Sequence, residues 1–401
     1  MLVLPLLAAA APAQKQYKVP ITRTRDASLS LRENILVGLE HTVNKIVNSP
    51  FSSKLAGVSV SPSDAAVGNL QNALYTGQIT VGQNQQQFNV QLDTGSSDLW
   101  LVGTSCQDSG DSSCQMGNQL DTSDPAVSDL HQQFNITYLD QSTAQCEIYS
   151  APVTMGGLTA NSLPIGAAFY MQGFGTGQKY DGLLGLGFDS LSEISNTTKQ
   201  SASFFDKLGF SKDQSLFGMY LSNSADGDNG EIALGGVDSA KFSGNLNYVP
   251  VISDYFWAFN STGMTFSVGS GQPQDATGGV HGAIPDSGTT LLMLENSVAA
   301  AINKQIGATL DRSSPTVYDI PCSVAKRGKP IKFTVNGQTY SIPPSIYVVN
   351  EGNGQCISGI IGGADRSKGV PILFGDVFMR SVYTVFDKGN KRIGFAPAVH
   401  N

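Results

Sequence analysis

Histidine is scarce in this chain, with four residues, none in a cluster and no H-E-x-x-H. The five cysteines, Cys106, Cys114, Cys146, Cys322 and Cys356, include no C-x-x-C, so the common zinc spacings are missing. There is no G-x-S-x-G elbow to raise a serine nucleophile and no G-x-G-x-x-G loop to admit a dinucleotide. No metal or cofactor is therefore expected. A net charge of −8, with no basic cluster in the main body, argues against nucleic acid as a partner. The apolar run at the N-terminus covers about ten residues, whereas a bilayer span takes ~20. With no hydrophobic tail before the final VHN, no membrane anchor is expected.

What is present reads as β structure. Only 14% of residues are charged, below the ~25% of an average protein, while glycine numbers 44. Short runs rich in Val, Ile, Thr, Tyr and Phe alternate with polar residues and end at turn formers, as in YTGQITVG, QQFNVQLD and IKFTVNGQTYSI. The 401 residues are enough for two cores, because single cores stop growing near roughly 250 to 300 residues.

Within this pattern QLDTGSSDLW, residues 91–100, sets the ionisable Asp93 between two apolar stretches. Taken alone, D-T-G is an ordinary polar turn. The same chemistry recurs at 284–294, IPDSGTTLLML, where laying Asp286 on Asp93 aligns seven positions, including Leu292 on Leu99 and Leu294 on Leu101. A second marker follows each copy: YDGLLGLGF places Gly185 92 residues after Asp93, and PILFGDVF places Gly375 89 residues after Asp286. Two motifs in the same order at nearly the same interval indicate an internal duplication into two related lobes.

The front of the chain differs from the rest. MLVLPLLAAAAPAQ resembles the apolar run and cleavage site of a secretory signal, without the basic residues that usually precede them, so residues 1–14 are read as a signal peptide with an incomplete start. Residues 1–54 carry net charge +4 against −12 for the remainder, which suggests a segment that binds the body by Coulomb attraction. Leu31, Ile35, Leu39, Val43 and Ile46 or Val47 recur at helical steps, and the small, polar stretch SSKLAGVSVSPSDAAVG follows like a linker. A removable prosegment over 15–66 is the expectation.

Export favours local disulfides within each repeat half, Cys106 with Cys114 and Cys322 with Cys356. Cys146 is then left either as a buried small hydrophobe or as a thiol for intermolecular pairing. Sequons at Asn135, Asn196 and Asn260 suit the same route.

If the lobes pack about a pseudo-twofold axis, Asp93 and Asp286 meet. Two carboxylates a few ångströms apart cannot easily both ionise, so such a pair holds one proton over an acidic range and is acid and base at once. The ionised member can take a proton from water while the other donates to a peptide carbonyl oxygen, giving a tetrahedral diol. Gly95 and Gly288 would let backbone amides approach, the hydroxyls of Ser96 and Thr289 would bond the carboxylates from outside, and Thr94 and Ser287 would lock the two loops together.

These residues, with FNITY, GEIALGGVD and GDVFMRSVYTVFDKGNKRIGFAPA, resemble the pepsin family of aspartic endopeptidases, in fungal-like form, over nearly the whole chain. The resemblance implies a mostly β, bilobal fold with a cleft between lobes at 67–248 and 249–401, and Asp93 and Asp286 as its catalytic dyad. It also implies Tyr138 as the flap residue that closes over substrate, with Trp100 to steady its ring, and Lys54 as the prosegment lysine that pairs with the dyad. Asp140, two places after the flap tyrosine, is expected to admit lysine before the scissile bond. Departures from the family pattern are Leu139 and Gln141 in the flap, Cys146 in its return strand, Leu55 beside the inhibitory lysine, and Pro285, which has no N–H to give a ladder.

The expected protein is thus a monomeric zymogen, secreted or alternatively vacuolar, acting on polypeptides and bound by its own prosegment and by pepstatin-like inhibitors. A catalytically silent binding or inhibitor protein on the same fold is the alternative.

Overall fold

The computed structural model describes residues 17–24, 46 and 74–400, apart from 116, 138–142, 175–179, 224–229, 313, 315 and 353. Of the helix expected over 31–47 only Ile46, helical and buried, lies within them. The expected signal peptide, Lys54, Leu55, Tyr138, Leu139, Asp140 and Gln141 lie outside the described residues.

The described chain is mostly strand. The first ten strands are β1 (Tyr17–Thr24), β2 (Leu74–Val81), β3 (Gln86–Asp93), β4 (Leu99–Asp108), β5 (Ser128–Thr137), β6 (Thr143–Met155), β7 (Leu158–Gln172), β8 (Gly182–Gly185), β9 (Leu216–Tyr220) and β10 (Gly230–Leu234). With Asn247–Pro250, Val382–Asp387 and Arg392–Pro397 they form one thirteen-stranded sheet. In it Val382–Asp387 pairs antiparallel with β9, so strands from the end of the chain and from its first half share a sheet. β1 lies between β10 and β2, pairing antiparallel with both and burying Val19 and Ile21.

The duplication has a structural counterpart. β8 runs parallel to β3 and antiparallel to β4, and β4 is parallel to β7. In the second half Ile372–Phe374 runs parallel to Gly282–Pro285 and antiparallel to Leu292–Glu295, and the latter is parallel to Ile360–Ala364. Each D-[ST]-G motif therefore joins two strands, and its apolar follower is the strand laid between them. The glycine at the end of that strand has a steric reason. A Cβ on Gly185 would collide with the backbone of Ser97, and one on Gly375 with the carbonyls of Thr289 and Leu291.

Alternation along β3 sends Phe88, Val90 and Leu92 into the core and leaves Asn89, Gln91 and Asp93 on the other face. Aromatic packing ties the two halves together beneath the motifs. The Phe217 and Phe386 rings stack at 4.8 Å, while Trp257 lies edge-on to Phe386 at 5.2 Å and tilted against Phe188 at 4.5 Å. Disulfides join Cys106 to Cys114 and Cys322 to Cys356. Cys146 is a free, buried thiol in the cluster formed with Trp100, Phe134 and Ile148. Among the described residues no helix is long and apolar enough to cross a membrane.

Candidate active site

Asp93 is the last residue of β3, and Asp286 follows the strand Gly282–Pro285 directly. Both are buried. The Gly95 amide donates to Asp93 Oδ1 at 2.8 Å and the Gly288 amide to Asp286 Oδ1 at 2.9 Å. A side chain at either glycine would intrude on the other half's carboxylate. A Cβ on Gly95 would lie 2.8 Å from Asp286 Oδ1, and one on Gly288 2.5 Å from Asp93 Oδ1. The carboxylates thus stand crosswise, each over the opposite glycine.

Beneath them the loops are joined. The Thr94 amide donates to the Ser287 hydroxyl at 3.1 Å and the Ser287 amide to the Thr94 hydroxyl at 3.0 Å. The hydroxyls in turn donate to backbone, Thr94 to the Pro285 carbonyl at 3.1 Å and Ser287 to the Leu92 carbonyl at 2.8 Å. These four buried bonds cross from one half to the other just under the carboxylates. Pro285 fits without loss, because its carbonyl serves this network and the next amide, that of Asp286, donates to Phe374 at 3.1 Å.

The outer hydroxyls do not behave alike. Thr289 donates to Asp286 Oδ2 at 2.8 Å. The Ser96 hydroxyl, expected to do the same for Asp93, is buried without a hydrogen-bond partner among the described residues. That expectation is corrected. Trp100 is buried, with its ring 5.7 Å from Phe174 and its indole N–H also without a partner among the described residues.

Some contributors were not foreseen. Asp98, within the first motif, is buried and accepts the amides of Glu193 at 3.0 Å and Ile194 at 3.2 Å, which fastens the loop to the following helix. Asp181 accepts the Asn89 amide at 2.6 Å and the Asn118 amide at 2.7 Å, holding β8 to its surroundings. The Trp257 indole donates to the Leu186 carbonyl at 2.9 Å, and the Leu186 amide donates to the Asp93 carbonyl at 2.8 Å. Nothing local in the sequence distinguishes these residues from ordinary turn acids or a core aromatic.

The family model for eukaryotic aspartyl proteases matches residues 74–398. The chain belongs to that family. It is 31% identical over 399 residues to rhizopuspepsin of Rhizopus chinensis, covering 97% of this chain and 94% of that protein. It is 32% identical over 385 residues to pepsin A of Sus scrofa, covering 95% of each. This aspartyl protease is accordingly an aspartic endopeptidase with the bilobal pepsin-like fold, and polypeptides are its substrates.

Asn135, Asn196 and Asn260 are all exposed.

Proposed function

We propose that Asp93 and Asp286 are the catalytic pair and share one proton. One carboxylate takes a proton from the attacking water as the other donates to the scissile carbonyl oxygen, and collapse of the diol returns a proton to the leaving amine. The observation that carries this reading is the approach of each carboxylate to the opposite glycine, with the Gly95 and Gly288 amides and the Thr289 hydroxyl fixing their orientation. Thr94 and Ser287 hold the two loops in register. These same groups count against a silent binding protein. Pepstatin-sensitive cleavage of a denatured protein at acid pH tests the reading, and its absence in folded, processed protein would overturn it.

The remaining assignments belong to the same proposal. Tyr138 closes over substrate with Trp100 steadying its ring, and Asp140 pairs with lysine before the scissile bond. Residues 15–66 form a removable prosegment in which Lys54 pairs with the dyad, while 67–248 and 249–401 are the two lobes. The protein is a monomer, exported to the medium or else to a vacuole, inhibited by pepstatin-like compounds and glycosylated at Asn135, Asn196 and Asn260. Placement of β1 between β10 and β2 supports a front segment docked on the body. Asp140→Thr should selectively lose cleavage after lysine relative to phenylalanine, and an equal change in both rejects that pairing.

A further inference from the structure

A basic cluster stands in the acidic body, where the sequence reading expected none. Residues 320–350 hold Lys326, Arg327, Lys329 and Lys332 and no acidic residue, although the chain beyond residue 54 has net charge −12. Three of the four lie within AKRGKP, at the end of the short helix Val324–Arg327 and in the turn after it. Basic runs of this kind mark polyanion binding.

The fold gives the cluster a fixed shape. The Gly328 amide donates to the Val324 carbonyl at 2.7 Å, the Tyr347 hydroxyl to the Lys329 carbonyl at 2.7 Å, and the Gly269 amide to the Pro330 carbonyl at 2.8 Å. A Cβ on Gly328 would fall within 2.8 Å of Val324 and Tyr347, so the turn is close-packed. On this frame Lys326, Arg327 and Lys329 are exposed and Lys332 is half-buried. None of the four side chains makes an ion pair or hydrogen bond among the described residues. Lys388, Lys391 and Arg392, by contrast, each pair with an aspartate. The strand Thr265–Val268, which pairs with Ile331–Val335, brings no acid either, and Asp275 beyond it is taken up by the Thr277 hydroxyl and the Gly278 amide. The cluster's counter-charge therefore comes from solvent ions or from a partner.

Beside the cluster lies a face of hydroxyls. Lys332 stands opposite Ser267 on one strand and Ser341 on the other, and the next row on that face holds Thr265, Thr334 and Thr339. The rings of this region, Phe333, Tyr340 and Tyr347, are buried, so they offer no platform for a nucleic-acid base. Cations flanked by hydroxyls suit an anionic sugar polymer. Lysine and arginine stay charged at acid pH, as do sulfate esters, whereas carboxylates take on protons near about pH 4.

We propose that this face, built from Val324–Lys329 and the adjoining strands, is a docking surface for sulfated polysaccharides, separate from the dyad. The choice of sulfate over carboxylate rests on the acid activity proposed above.

The test measures binding of the processed enzyme to immobilised dextran sulfate near about pH 4, with carboxymethyl dextran and single-stranded DNA as comparators. The processed form is used so that the basic front segment does not contribute. The combined variant Lys326→Ala, Arg327→Ala and Lys329→Ala should bind dextran sulfate roughly tenfold or more weakly than the parent, and the parent's binding should weaken with salt. Removing the same charge elsewhere, with Lys199→Ala, Lys212→Ala and Arg366→Ala combined, should change it less than threefold. Near-UV circular dichroism confirms that both variants are folded, and both should keep the parent's rate of peptide cleavage. No binding by the parent, equal weakening in the two variants, or binding to carboxymethyl dextran or single-stranded DNA as tight as to dextran sulfate would overturn the proposal. Absence of pepstatin-sensitive cleavage by the parent would instead overturn the dyad reading.

Discussion

The Thr94 and Ser287 amides each donate to the other residue's hydroxyl, at 3.1 and 3.0 Å, across the junction of the two halves. Thr94→Ala would leave the Ser287 amide and the Pro285 carbonyl without these bonds in a buried place. An unsatisfied buried group costs about 1–3 kcal/mol, so a loss of about 2 kcal/mol or more is expected in urea unfolding. Thr94→Ser keeps the hydroxyl and should recover most of it. Equal losses in the two variants would point to packing instead.

Asp286→Asn should leave the fold intact and reduce turnover by several orders of magnitude, because the amide cannot take a share in the proton. Circular dichroism checks the first half and progress curves at acid pH the second. Activity within tenfold of the parent would sink the shared-proton mechanism.

How far the sequence foretold this site depends on whether local chemistry carried the constraint. Gly185 and Gly375 were legible because backbone approaches so closely there that only glycine fits, and the same glycine therefore appears twice. Gly95 and Gly288 were legible because the opposite half's carboxylate stands where a side chain would go. Ser96 and Thr289 align in sequence, yet only Thr289 bonds its aspartate, because a pattern records residue type and not where a hydroxyl points. The pairing of β9 with Val382–Asp387 spans most of the second half and leaves no local trace.

Cys146 should resist thiol reagents in the folded protein. Burial pushes its thiol well up, and the Asp98 carboxylate adds to the shift, so little thiolate forms at neutral pH. One thiol per chain should react after unfolding without reductant, given the two disulfides. A rapid reaction in native buffer, or more than one thiol after unfolding, would contradict this arrangement.

Acid should loosen β1. Lys18 pairs with Asp238, and Glu231 stands near both. Burial pushes the Asp238 carboxyl up, but the Lys18 ammonium and the Ala240 amide outweigh it and hold it below the ordinary carboxylate range. A depressed carboxyl contributes stability above its unfolded value and loses it as pH falls through the folded value. Glu231 has the opposite sign: burial first, then the Asp238 charge, push it up, so the proton it takes on as pH falls relieves a buried like-charge contact and offsets part of the loosening. The Lys18 value is raised chiefly by its bond to Asp238, so the ammonium itself persists until alkaline pH. Lys18→Ala should therefore move the midpoint of front-segment loss to higher pH, as followed by intact mass across a pH series. A midpoint unchanged from the parent would count against a role for this pair.

The last prediction follows the chain of bonds from Trp257 to Asp93. The Trp257 indole, supplied by the second half, holds the Leu186 carbonyl, and the Leu186 amide holds the Asp93 carbonyl. Trp257 also fills the space among Phe188, Phe217 and Phe386. Trp257→Phe keeps an aromatic ring there but removes the N–H and part of the volume, so it combines an unpaired buried carbonyl with a small cavity. Together these should cost about 2–4 kcal/mol. Leu186 lies next to the Gly187 amide, which donates to the Ser96 carbonyl at 2.7 Å, so slackening there also frees the loop that carries Asp93. Turnover should fall roughly tenfold with KM little changed, since the altered group positions a catalytic carboxylate and does not touch substrate. Measuring kcat and KM on the folded fraction separates this from instability. A variant that loses stability but keeps the parent kcat would show that Trp257 supports the fold without positioning Asp93.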